Sequence, residues 1–269
     1  MQFQVLEVRV RRRAKSLAGP VVLLAACALA SFAHGERVQK GTLIVSLDGR
    51  FSPLALPRDR PAPVSVHLDT SLQTSDGSIL PRVTRVELGI PQQAVITTRG
   101  LPTCSLRRLR DATREKALEA CRPALIGRGR MLAQVKIPHQ ESFGVRASLL
   151  AFNGRFGDQR AVIVHGVATR PPTSVVLPFL FRLRPGRFGT VLVAHLPATL
   201  GPWPRFARFQ IDLSRRYHHR GRELSYISAT CPIPKSNTGG FASLAKATFT
   251  LAGGRQLSTE IVRSCRARG

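Results

Sequence analysis

From about residue 40 onward the apolar residues of this chain recur with a period of two or stand in short unbroken runs, with turn-forming residues between them. Alternation is plain at Val64-Ser65-Val66-His67-Leu68 and at Phe209-Gln210-Ile211-Asp212-Leu213-Ser214. A strand sends successive side chains to opposite faces, so such a segment buries one face and wets the other; a helix would scatter the same residues around its circumference. Apolar runs at 145–152, 161–167, 175–183 and 191–196 read as more deeply buried strands. Asp48-Gly49, Asp76-Gly77, Asn153-Gly154, Pro185-Gly186 and Arg220-Gly221 read as turns between strands. Near the C-terminus, 244–251 and 256–262 flank Gly253-Gly254 as a hairpin. About a dozen candidate strands stand against one helical segment, a spacing typical of sandwiches. The expected fold is therefore all-β, with β-sandwich-like antiparallel sheets and one short helical insertion at about residues 105–120.

The N-terminus is of a different kind. Arg9, Arg11, Arg12, Arg13 and Lys15 form a basic block, residues 16–33 are uncharged, and the run ends in small residues around Ala28 and Ala30. This order marks residues 1–35 as an export signal, with removal on export the expected fate because Gly19 and Pro20 interrupt the run. Leu24-Ala25-Ala26-Cys27 resembles the lipobox of bacterial lipoproteins and makes Cys27 a candidate lipidation site. Residues 36–269 are then one β-sandwich-like domain, with a candidate sub-boundary at Pro171-Pro172.

Export changes the reading of Cys104, Cys121, Cys231 and Cys265, because an even set in an exported chain points to disulfides. Three connectivities are open; local pairing gives Cys104–Cys121 and Cys231–Cys265. As a single straight helix the segment between the first two would hold them about 25 Å apart, whereas a disulfide needs Cα atoms roughly 4.4–6.8 Å apart. Either the helix breaks near Asp111–Thr113 into a short hairpin, which is the favoured reading, or these cysteines pair elsewhere. Zinc is poorly supported, since no CxxC pair occurs and no histidine stands at ligand spacing from a cysteine.

The chain carries a formal charge of +26, and 35 of its 41 basic residues are arginine. With abundant Ala, Gly and Pro, this composition fits a GC-rich coding bias. Physically, such an exported cation associates non-specifically with anionic cell-envelope polymers or lipid headgroups. Specific nucleic-acid readout is not expected, because the arginines are scattered and only two Tyr and one Trp could stack on bases. The densest basic stretch, Arg215, Arg216, His218, His219, Arg220 and Arg222, is a candidate polyanion contact at a hairpin tip. On a strand the two adjacent imidazoles point to opposite faces, so they would not share a metal.

Several phrases, among them Gly100-Leu101-Pro102-Thr103-Cys104, Cys121-Arg122-Pro123-Ala124 and Thr230-Cys231-Pro232, resemble a group of exported, β-rich, four-cysteine proteins of high-GC actinobacteria. The resemblance implies export and paired cysteines, and transfers no activity and no site residue. The sequence holds no G-x-S-x-G elbow, HExxH, P-loop or EF-hand loop. His67, His165 and His195 read as core or edge residues of strands, Asp48, Asp69 and Asp76 as turn residues, and Trp203 as a loop anchor. No catalytic, cofactor-binding or metal-binding residue is assigned. The expectation is an exported, secreted or envelope-associated, non-enzymatic binding or structural module. The alternative is an extracytoplasmic hydrolase or carbohydrate-active enzyme, which a pocket with two converging carboxylates would favour.

Overall fold

A computed structural model describes residues 36–197, 201 and 203–268; residues 1–35, read above as an export signal, and Cys27 with them, lie outside the described residues. The described chain forms β1 (Glu36–Lys40), β2 (Leu43–Ser52), β3 (Ala55–Pro57), β4 (Ala62–Pro63), β5 (Ser65–Thr74), β6 (Val83–Ile90), β7 (Ala94–Ile96) and β8 (Cys104–Ser105). Two short helices follow, α1 (Leu106–Leu109) and α2 (Arg114–Cys121). The second half holds β9 (Leu125–Val135), β10 (Phe143–Phe156), β11 (Gln159–Thr169), β12 (Pro172–Leu183), β13 (Thr190–His195) and β14 (Pro204–Leu213). It ends with β15 (Arg216–His219), β16 (Arg222–Ser225), β17 (Ile227–Ala229), β18 (Gly239–Leu251) and β19 (Gln256–Arg268). The fold is all-β, as the alternation predicts.

The antiparallel walls belong to one continuous sheet, in the order β1-β2-β5-β14-β9-β10-β11-β12-β13-β6-β18-β19-β3. It curls until β19 comes alongside β2, where Arg263 Nε donates to the Gly49 carbonyl at 2.6 Å and a terminal guanidinium nitrogen pairs with Asp48. A Cβ at Gly49 would lie 2.9 Å from the Ile261 side chain and 2.8 Å from His67 O, so glycine allows this close approach. Inward residues such as Leu47, Leu72, Leu149, Val164, Phe249 and Ile261 fill the interior. The outer face of β5 and β14 is polar: Arg208 and Gln210 hold Asp69, and His67 Nδ1 lies 2.7 Å from Asp212. Burial pushes the Asp69 carboxyl up, but those hydrogen bonds and the Arg208 charge outweigh it and hold its pKa below the usual range.

Two predicted turns are strand interiors. Asp48-Gly49 lies within β2, with Asp48 opposite Asp69, and Asn153-Gly154 lies within β10. Buried Asn153 donates to the carbonyls of Leu101 and Pro102, which satisfies its amide and lets the strand run on. The chain reverses instead at Gly157, where φ is +56°. Pro171 occupies the hairpin that joins adjacent β11 and β12, with Thr169 opposite Pro172, and the described residues form one unit.

The helical insertion breaks where the spacing argument places it. Asp111 adopts φ +56°, and the Thr113 side chain caps α2 by accepting from Lys116 N. The break brings the Cys104 and Cys121 Cα atoms to 5.5 Å in a disulfide. The hairpin packs Leu109, Ala117 and Cys121 on the outside of the wall against Leu150, Phe152 and Ile163. Beneath it His165 is fully buried, its Nε2 3.1 Å from Ala112 O and Nδ1 without a partner. Burial holds the pKa of this imidazole below its usual value, the bond to Ala112 offsetting only part of the cost.

A small sheet, in the order β4-β17-β7, closes one end of the barrel. Fully buried Tyr226 lies beside it, and Cys231–Cys265 joins the segment after β17 to β19 with a Cα separation of 5.9 Å. Two disulfides of this kind belong to an oxidising environment.

Two outcomes follow from this architecture. Replacing Cys231 and Cys265 together with serine should cost roughly 3–4 kcal/mol of unfolding free energy in denaturant titrations, from the loop that the bridge closes. His165 is held neutral in the fold, while the unfolded chain takes up its proton below about pH 6.5. Its stabilising contribution is therefore full above that pH and is lost as pH falls through the depressed folded value. Melting curves of wild type and His165→Gln should diverge least near pH 5 and most near pH 7.5; parallel curves would contradict neutral burial.

Candidate functional site

An eight-stranded barrel is just wide enough for its own side chains to fill, and diameter grows with strand number. Eleven strands make up this wall, from β2 round to β19, and the surplus width remains as three cavities along the interior. The first, about 110 Å³, lies against the cap, among Phe51, Val64, Leu213, Tyr226 and Ile227. The second, about 70 Å³, shares Leu68, Val164, Phe179 and Phe209 with it. The third, about 450 Å³, shares Met131, Gly166, Val175 and Leu177 with the second and reaches the opposite end of the barrel. Its size falls within the roughly 300–1,000 Å³ common for small-molecule sites.

The large chamber exists because inward side chains shrink toward that end. Ala147, Ala168 and Thr173 stand opposite one another across β10, β11 and β12. One inward row deeper the residues are Leu149, Gly166 and Val175, and the next pair is Val164 with Leu177. Three neighbouring strands thus give up bulk at matched heights, while Met131, beside Ala147 on β9, together with Leu196 and Phe206 completes the lining. The rim holds Arg82 and Arg205, together with Trp203. Among the described residues lining the three cavities, these two arginines carry the only charges.

Polar atoms inside the barrel are sparse. Thr70 is satisfied by the Ser46 carbonyl. The Tyr226 hydroxyl and Thr259 Oγ1 are buried without hydrogen-bond partners. Burial drives the Tyr226 pKa far above the usual phenol value, so this hydroxyl stays protonated. Such an interior favours an apolar occupant over water, which needs several polar contacts to be held.

The basic stretch does not converge on one spot. It forms the β15–β16 hairpin, anchored by Tyr217, whose hydroxyl donates to the carbonyls of Thr97 and Arg99. Arg215 reaches the Pro123 carbonyl, and His219 packs against Gly100. Arg216 lies 3.8 Å from Glu223, Arg220 takes φ +51° in the turn, and His218 and Arg222 are exposed. His195 is exposed at the end of β13, and Asp76 caps Ser78 N in a turn. No group of three or more metal-ligating side chains occurs among the described residues.

Arg82, Arg205 and the small residues of the chamber were not singled out by motif reading. The one available signal was the matched run of Ala, Gly and Thr at inward positions, and it becomes visible only with the register in hand. Trp203, expected as a loop anchor, is 41% exposed at the rim and is the only tryptophan in the chain. The folded protein should therefore show solvent-contacting tryptophan emission that acrylamide quenches readily; blue, quencher-resistant emission would contradict this placement. Neither a protein-family model, nor a curated protein, nor a solved structure matches the chain.

Proposed function

We propose that this protein is an exported, non-enzymatic binding module that holds a hydrophobic small molecule inside its barrel. The observation that carries the reading is the 450 Å³ chamber, which continues inward into two smaller apolar cavities. Along β14 the distance from Arg205 to Leu213 is about 26 Å at the rise of a strand, room for an extended chain. Each methylene transferred from water to such a lining gains about 0.8 kcal/mol. The lining favours binding over the hydrolase alternative, since that chemistry asks for two carboxylates facing one space. The two disulfides and the export signal support work outside the cytoplasm, in secreted or envelope-associated form. The outward arginines support a weak, salt-sensitive association with anionic envelope polymers or headgroups.

Nile red, a neutral dye that fluoresces in apolar surroundings, tests the chamber directly. Wild type should bind it saturably, and the double variant Ala147→Phe with Ala168→Phe should weaken binding at least tenfold while keeping a cooperative thermal transition. Dye binding that ignores both substitutions would place the occupant elsewhere and sink the reading.

A further inference from the structure

We infer that the molecule held in the barrel presents a neutral carbonyl oxygen, of a ketone, aldehyde or ester, to the hydroxyl of Tyr226 at the capped end. The inference rests on the reading of the barrel as a container for an apolar molecule and adds the polar group that its inner end carries.

The chain has two tyrosines, and their hydroxyls have opposite fates. Tyr217 donates to the carbonyls of Thr97 and Arg99. Tyr226 lines the first cavity at 1% exposure, and its hydroxyl has no hydrogen-bond partner among the described residues. A buried tyrosine ordinarily finds a partner for its O–H. The backbone here gives the ring little freedom to seek one, since Tyr226 N donates to Arg215 O at 2.8 Å and Tyr226 O accepts from Thr97 N at 3.0 Å. A buried donor without an acceptor bears the cost of its lost hydration, and an occupant that supplies the acceptor recovers it.

The surroundings select the kind of acceptor. Of the other polar side chains in this lining, Gln93 donates through Nε2 to Ser243 O at 2.7 Å, and the Ser243 hydroxyl donates to Glu260 at 2.8 Å. Thr230 is only half-buried. Water is a poor substitute, because it needs several polar partners and this lining offers few. A carbonyl oxygen needs only the one donor that Tyr226 gives. An alcohol brings a hydrogen of its own, which must then find an acceptor as well. A carboxylate brings a full charge, and burying it beside a single neutral donor costs more than the bond returns. Arg160, whose charge reaches the phenol, lies over the Phe181 ring at 4.9 Å and does not line this cavity.

Displacement of Nile red from the full chain tests this with methyl octyl ketone, decane and decanoate at matched free concentrations. In wild type the ketone should compete about fivefold more tightly than decane, the factor that a single net hydrogen bond is worth. In Tyr226→Phe the two should compete equally, with decane unchanged. Decanoate should be weaker than the ketone. The ligand-free variant should melt at or above the wild-type temperature, since it sheds an unsatisfied hydroxyl. A lower melting temperature would mean that the hydroxyl already has an acceptor inside the protein, and would overturn the inference. On wild type alone, the carbonyl stretch of the isotope-labelled ketone should lie at lower wavenumber when bound than in hexane; an unshifted band overturns the assignment too. Equal affinity for ketone and decane in wild type, a preference that survives Tyr226→Phe, or tighter binding of decanoate than of the ketone each overturns the carbonyl and leaves the container intact. Failure of all three ligands to displace the dye overturns both.

Discussion

Closure of the sheet along the line where β19 meets β2 is the constraint on which the rest depends. A sheet with two free edges exposes unpaired backbone groups and cannot enclose anything. Here one edge is brought back onto the other without a continuous ladder, and Arg263 supplies the link by bonding to the Gly49 carbonyl and to Asp48. Ile261 sits against Gly49 from the inner side, so the same few residues are wetted outside and sealed inside. Once the circle is closed, every period-two strand has its apolar side committed to one interior. The breadth of that interior is then set by the number of strands.

The outward charges fit the same logic. Asp48 and Asp69 stand directly opposite one another on neighbouring strands, an arrangement that is repulsive when left alone. Arg263 takes one and Arg208 the other. A share of the arginine excess is thus engaged in holding the sheet together from outside. The polar outer face of β5 and β14 over an apolar interior reverses the pattern of a membrane-spanning barrel, whose outward band is apolar.

The fold was largely legible in the sequence because its signals are local. Alternation marked the strands, and the spacing of Cys104 and Cys121 left either pairing elsewhere or a break, the favoured reading, which Asp111 and Thr113 make. The errors were local too. Asp48-Gly49 and Asn153-Gly154 look like turns, yet in the fold each glycine answers a close approach, Gly49 to Ile261 and Gly154 to Ile163. A glycine serves a turn and a crowded strand equally well, and sequence alone does not say which need it meets. The chamber was not legible, because Ala147, Gly166, Ala168 and Thr173 mean little until the ladder sets them side by side. Its arginines were hidden in a chain where arginine is common.

The cap and the rim give the barrel a direction. At one end a disulfide, a small sheet and fully buried Tyr226 leave little that can yield. At the other, Ala147, Gly166, Ala168 and Thr173 give up bulk among the residues that line a chamber of about 450 Å³. Local opening free energy follows the density of buried packing, so it declines from the cap toward the rim. The molecule is in effect a flask with a welded base and a pliable neck. On the proposed reading, uptake and release would share that neck, and the lifetime of anything held inside would be governed by the least stable part of the fold, while overall stability resides in the most stable part.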